Sequence, residues 1–240
     1  MGWLKDRREK FYDGAIWVPK PRVYNWFVYV AAYIARPVVK LWTRYTAKGL
    51  ENVPEEGGPY VYACNHVSFM DPLVMWSILY AHRGGSRFLA RTSLFKPILG
   101  GWIARGGAIP VDPDSADRTS VKRAAACLKR GENVLIFPEG TRMNRPDKVY
   151  RPHAGVVLIA QMGKAQIVPV GIEGTQKIMP YGKPFVRFPH VYVNFGEPID
   201  PKGPEFADVP KRERSKAVLD TVMDEIYRLR GSAKSEKKRR

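Results

Sequence analysis

From Gly49 onward, short uninterrupted apolar runs alternate with longer stretches whose apolar residues recur at helical spacing. The runs are Tyr60–Cys64, Arg87–Ala90, Ala108–Val111, Val134–Phe137, Gln166–Val170 and Val191–Phe195. Continuous apolar character of this length is the pattern of a strand buried on both faces. Between the runs, the spacing predicts helices over Asp71–His82, Ser93–Ala104, Ser115–Arg130 and Ala154–Lys164. Asp114 or Ser115 would cap the third of these, and Gly131 would end it. Strand–helix alternation predicts an α/β fold, with a largely parallel central sheet flanked by helices. A last amphipathic helix is expected over 211–230, with Val218, Val222 and Ile226 on one face.

Residues 1–48 break this pattern. The apolar run Val23 to Ala35 lies between Arg22 and Arg36, and Pro37 interrupts it before Val38–Trp42, which reads as two short helices broken near the proline. The same segment holds Trp3, Trp17, Trp26 and Trp42, and ten Lys or Arg against three acidic residues. Indole and phenol rings favour the bilayer interface and cations favour anionic head groups, so the expectation is an N-terminal membrane-associating helical pair. A pair packed on the core with its cations solvated is the alternative. The chain thus divides into an interfacial segment (1–48), an α/β domain (49–230) and a basic tail (231–240) expected to be disordered.

Composition sharpens this picture in two places. A net charge of +17 over 240 residues calls for anionic partners: nucleic acid, an anionic membrane surface or phosphorylated substrates. No recognition-helix, zinc or aromatic-sheet signature supports nucleic acid, so none is expected as a partner. Two cysteines, Cys64 and Cys127, make neither a disulfide framework nor a metal cluster. The start of the chain lacks a secretory signal pattern, and no charge-free stretch reaches the ~18 residues of a spanning helix. The expected location is the cytoplasmic face of a membrane, peripheral or monotopic, without crossing it.

Four loops carry candidate chemistry. Asn65-His66-Val67-Ser68-Phe69-Met70-Asp71 leaves a strand and opens a helix, where α/β active sites gather. Imidazole suits a base for a hydroxyl, and Asp71 could accept a hydrogen bond from its other nitrogen, fixing the tautomer. Taken alone, the two residues read better as a loop histidine and a helix cap. Ile136-Phe137-Pro138-Glu139-Gly140-Thr141-Arg142 also leaves a strand; its glycine would let backbone N–H groups approach an anion, and Arg142 could grip a phosphate. Arg105-Gly106-Gly107-Ala108-Ile109-Pro110-Val111-Asp112 offers a further phosphate contact through Arg105. Ile167-Val168-Pro169-Val170-Gly171-Ile172-Glu173 is adequately explained as plain core.

In their order along the chain (65–71, 105–112, 136–142, 167–173) the four motifs resemble the glycerolipid acyltransferase family, and within it the bacterial 1-acylglycerol-3-phosphate acyltransferases, over roughly residues 45–200. The resemblance implies that His66 is the general base and Asp71 its partner. It implies that Glu139, Gly140, Thr141 and Arg142 help bind the acceptor's phosphate and glycerol, and that an N-terminal helical pair docks the enzyme on an anionic membrane. The implied partners are an acyl-CoA or acyl-carrier protein donor and a lysophosphatidic acid-type acceptor; no metal or redox cofactor is implied. Glycerol-3-phosphate or another lysolipid is the alternative acceptor. The chain departs from the family at Asp112, which is followed by Pro113 in place of arginine, leaving Arg105 or Arg118 to supply that contact, and at Arg91-Thr92-Ser93-Leu94. Ser68 and Cys64 flank His66, but neither sits in an evident nucleophile–base arrangement.

Overall fold

The computed structural model describes residues 12–13, 18–19, 21–53, 58–82, 85–96, 99–112, 118–143, 151–178 and 187–238. After a two-residue hairpin, β1 (Tyr12–Asp13) and β2 (Val18–Pro19), the chain forms helix α1 (Pro21–Thr43) and strands β3 (Thr46–Lys48) and β4 (Tyr60–Cys64). Helix α2 (Asp71–His82), β5 (Arg87–Arg91), α3 (Leu99–Arg105), β6 (Ala108–Val111), α4 (Arg118–Lys129) and β7 (Val134–Ile136) follow. Helix α5 (Gly155–Gly163), β8 (Gln166–Glu173), β9 (Tyr192–Phe195) and α6 (Lys211–Lys238) complete it.

Seven strands form one sheet in the order β3-β9-β8-β4-β7-β5-β6. Strands β4 to β8 run parallel to one another, whereas β9 is antiparallel to β8 and pairs parallel with β3. All five residues of β4 are buried, which is why its sequence shows no polar alternation. Its side chains still alternate between two cores. Val61 and Ala63 pack with Ala124, Leu128, Val157, Ala160, Val222 and Ile226 of α4, α5 and α6. Tyr60, Tyr62 and Cys64 pack on the opposite face with Val39 of α1 and Val74, Met75 and Ile78 of α2.

Four expectations are corrected. The N-terminal helical pair is, over the described residues, one helix that continues through Pro37. A helical proline frees the carbonyl four residues earlier, here that of Tyr33; both residues are exposed, so water can reach the freed group. The boundary expected after residue 48 falls within the fold, because β3 pairs with β9 and Val39 belongs to a core. The helix expected over Ser93–Ala104 is a single 3₁₀ turn, Thr92–Leu94, and then α3; Pro97 disfavours helical backbone at the residue before it. The tail expected to be disordered is helical as far as Lys238, with Ala233 buried. Helix α4 stops just short of Gly131, as expected, while its proposed caps Asp114 and Ser115 lie outside the described residues, as do Trp3 and Trp17.

Candidate active site

The parallel strands point their C-terminal ends toward one edge of the sheet, and the loops leaving β4 and β7 meet there. Asn65, the first residue past β4, is buried, and its side-chain amide extends the β4–β8 ladder. Its Nδ2 donates to the Ile172 carbonyl (2.9 Å) and the Ile172 N–H donates to its Oδ1 (2.7 Å). This rung fixes where the chain turns and therefore where His66 begins.

His66 Nδ1 lies 2.9 Å from Asp71 Oδ2. The same oxygen accepts the N–H groups of Val67 and Ser68, each at 2.7 Å. Asp71 therefore combines the two roles that its sequence position left open: it clamps the turn that opens α2, and it orients the imidazole. As a carboxylate it only accepts, so Nδ1 carries the proton of the neutral ring and Nε2 keeps its lone pair. The His66 side chain is 17% exposed. Its ring stacks on Phe137 at 4.2 Å between centroids, which leaves the imidazole one orientation.

The loop after β7 grips the backbone of the same histidine. Glu139 Oε2 accepts the His66 N–H at 2.6 Å, and the Met143 N–H donates to the His66 carbonyl at 2.7 Å. Glu139 is 2% exposed, and its second oxygen faces the Tyr227 hydroxyl of α6 at 3.4 Å. Burial pushes the Glu139 carboxyl up to about 7; the His66 N–H, Arg230 and Tyr227 pull it down, and the Asp71 carboxylate adds to the rise. Gly140 adopts φ +64°, and a Cβ there would lie 2.9 Å from the His153 ring. The His153 N–H in turn donates to the Pro138 carbonyl (2.8 Å), so the loop folds back on itself around the glycine. Arg142 ends the loop with its guanidinium 4.2 Å above the Phe69 ring, tying the lips of the two loops together.

Of the residues the sequence singled out, the structure gathers His66, Asp71, Glu139, Gly140, Thr141 and Arg142. It does not bring Arg105 to them. Arg105 closes α3 before β6 begins, at the opposite end of the parallel strands, and donates to the Gly101 carbonyl at 3.2 Å. Arg118 opens α4, which follows β6 at the same edge as His66. Cys64 is fully buried, and burial, then Asp71 and Glu139, push its thiol well above the usual range; it is not held as a thiolate nucleophile. Ser68 Oγ accepts the Met70 N–H at 3.2 Å and is not bonded to His66.

Several residues escaped sequence reasoning. Tyr227 and Arg230, three apart on α6, look like ordinary surface positions of an amphipathic helix, yet one faces Glu139 and the other donates to Glu173 (3.1 Å). Gly171, assigned to plain core, has a specific job: a Cβ there would sit 2.3 Å from the Arg230 backbone nitrogen. The glycine allows α6 to lie directly on β8.

Comparisons with known proteins point to one family. Residues 44–173 match the family model described as Acyltransferase. The 1-acyl-sn-glycerol-3-phosphate acyltransferase of Bacillus subtilis is 31% identical over 180 residues, which is 75% of this chain and 84% of that protein. Its counterpart in Streptococcus pneumoniae is 29% identical over 184 residues, 75% of this chain and 63% of the other. The crystal structure of the 1-acyl-sn-glycerophosphate (LPA) acyltransferase PlsC from Thermotoga maritima superposes with a TM-score of 0.60 at 27% identity, covering 86% of this chain and 88% of that one.

Proposed function

The chain belongs to the acyltransferase family, and from that membership we propose that it moves a fatty acyl group from acyl-CoA or acyl-carrier protein to the free hydroxyl of 1-acylglycerol-3-phosphate, forming phosphatidic acid. The observation that carries the reading is the clamp on His66, with Nδ1 tied to a buried carboxylate and Nε2 without a hydrogen-bond partner among the described residues. Nε2 takes the hydroxyl proton as the acceptor oxygen attacks the thioester carbonyl. The new C–O bond forms, the C–S bond breaks, and the imidazolium returns its proton to the departing thiolate. Asp71 stabilises the imidazolium between these steps. Thr141 and Arg142 on the neighbouring lip receive the acceptor's phosphate, with Arg142 as the charged contact. Glu139 acts from behind, by holding the His66 backbone.

The acceptor resides in a bilayer, and α1 suits docking there. Val30, Tyr33, Ile34, Val38 and Leu41 form an exposed stripe at helical spacing, with Tyr33 86% and Leu41 81% exposed. A helix packed on a soluble core normally hides such a stripe. Lys40 near the end of the helix and Arg44 just past it are exposed too. No helix among the described residues is long and apolar enough to cross a membrane. The enzyme on this reading is peripheral or monotopic, on the cytoplasmic face of the cell membrane.

Thiol release from acyl-CoA and from acyl-carrier protein, measured with lysophosphatidic acid, glycerol-3-phosphate and other lysolipids as acceptors, tests the assignment. Release driven most efficiently by lysophosphatidic acid, with phosphatidic acid as product, supports it. Preference for another acceptor moves the substrate assignment, and absence of any acceptor-dependent release from folded protein overturns the enzymatic reading.

A further inference from the structure

We infer that the membrane-facing surface has a second insertion point, Phe188 in the segment 187–190, at the same edge of the sheet as His66. The inference rests on the docking reading of α1 and extends it to a part of the chain remote in sequence.

Phe188 is a large aromatic side chain left 67% exposed. It is held in place rather than dangling. Arg44 Nη2 donates to its carbonyl at 2.8 Å, and Trp42 Nε1 donates to the Arg187 carbonyl at 3.0 Å. The rings of Trp42 and Phe188 lie 6.0 Å apart, and the Arg187 N–H donates to the Ile178 carbonyl at 2.8 Å. These contacts strap the segment to the C-terminal end of α1, beside the exposed Leu41. Ordering a segment costs conformational freedom, and here the ordered result is an aromatic ring presented to solvent.

The surrounding charge selects the occupant. Arg187, Arg44 and Lys40 are exposed, and neither 36–48 nor 187–190 contains an acidic residue. An aromatic ring among cations, with no acidic residue in either segment, fits an anionic bilayer, where the ring enters the interface and the cations meet phosphates.

The topology then sets the orientation. Strand β9 is antiparallel to β8, and Tyr192 pairs with Glu173, so residues 187–191 emerge where β8 ends. Asn65 bonds to Ile172 at that same end. Two to three strand spacings separate Phe188's strap from the end of β4, which is about 10–14 Å across the sheet. The α1 stripe and Phe188 together turn the catalytic edge of the sheet toward the bilayer, so that an acceptor can reach His66 with its acyl chain still among lipids.

The test places an environment-sensitive fluorophore on a single introduced thiol, in Phe188→Cys and separately in Tyr33→Cys, within the full chain. Cys64 and Cys127 are buried and burial pushes both thiols up, Cys127 to about 12, so labelling falls on the introduced site. With phosphatidylglycerol-containing vesicles, both labels should shift to the blue and be quenched by lipid-borne quenchers. A response at Tyr33 with none at Phe188 overturns this inference and leaves the docking reading standing. Silence at both sites overturns the docking reading as well. A Phe188 label that shifts with protein concentration in the absence of vesicles identifies a protein interface instead and also overturns it. As an unlabelled check, Phe188→Ser should weaken vesicle binding by about tenfold, with turnover of a soluble short-chain acceptor unchanged; unaltered vesicle binding sinks the proposal.

Discussion

At His66 the side chain and the backbone are held by different neighbours, so their losses should look different. On the proposed mechanism His66→Ala removes the base alone: turnover should fall by about 10²–10⁴ or more, while the denaturation midpoint stays near that of the parent. Arg142→Ala should raise the Michaelis constant for the phospho-acceptor far more than that for the thioester, because the guanidinium sits on the lip beside Phe69. Glu139 makes a prediction about pH. Its carboxyl is pushed up to about 7, chiefly by burial, against about 4.5 in the unfolded chain. The folded state therefore holds the proton more tightly, and this contribution to stability is full below about pH 4.5 and lost as pH rises to about 7. Glu139→Gln keeps an oxygen to accept the His66 N–H but cannot ionise. Relative to the parent it should gain stability between pH 5 and pH 8, by up to roughly 3 kcal/mol, as read from urea midpoints at the two values; a constant difference would remove Glu139 from the titrating groups. The pairing of His66 with Asp71 was legible only through the resemblance that the four motifs carry together, because two such residues five apart on one strand–helix turn read equally well as a loop histidine and a helix cap. The bracing role of Glu139 was not, since its partners come from the loop after β4 and from α6, both remote from it in sequence.

Elements were legible where burial dominates their composition. Strands β4 and β6 and helix α2 start and end where the apolar pattern predicts, because strands covered on both faces have no polar positions to blur them. Proline misled in both directions. At exposed Pro37 it was tolerated within α1, and near Pro97 the helix begins later than expected. The docking of α6 was invisible because it depends on an absent side chain. Gly171→Ala would place a Cβ 2.3 Å from the Arg230 nitrogen and 2.6 Å from the Leu229 carbonyl carbon. Backbone cannot yield as a side-chain tip does, so a destabilisation of about 3 kcal/mol is expected, measurable by urea denaturation. Residual activity should fall too, since α6 carries Tyr227 against Glu139. An alanine variant as stable as the parent would show that the helix has room to lift off β8.

For the whole molecule, the +17 charge and the α1 stripe act together but respond differently to salt. Each cation near an anionic surface contributes about 1 kcal/mol, screened beyond a Debye length of about 10 Å at 0.1 M salt. The apolar share is not screened, so high salt should release only part of the protein from anionic vesicles in a sedimentation assay. Removing the N-terminal segment up to residue 44 is a poor test, because Val39 and Thr43 are buried. Replacing Tyr33, Ile34 and Leu41 together by serine leaves those positions intact; it should weaken vesicle binding and turnover of vesicle-borne acceptor while sparing a soluble short-chain one. Unchanged binding would return α1 to a purely structural role. The sheet's edge has a consequence for how the protein is made. Thr46 must wait for Tyr192 before β3 has its partner, and Asn65 must wait for Ile172 before the histidine turn is fixed. Helix α1 leaves the ribosome well before either, with its stripe uncovered. On the docking proposal, the nascent chain would meet the bilayer while its catalytic turn is still unformed and would complete its fold there.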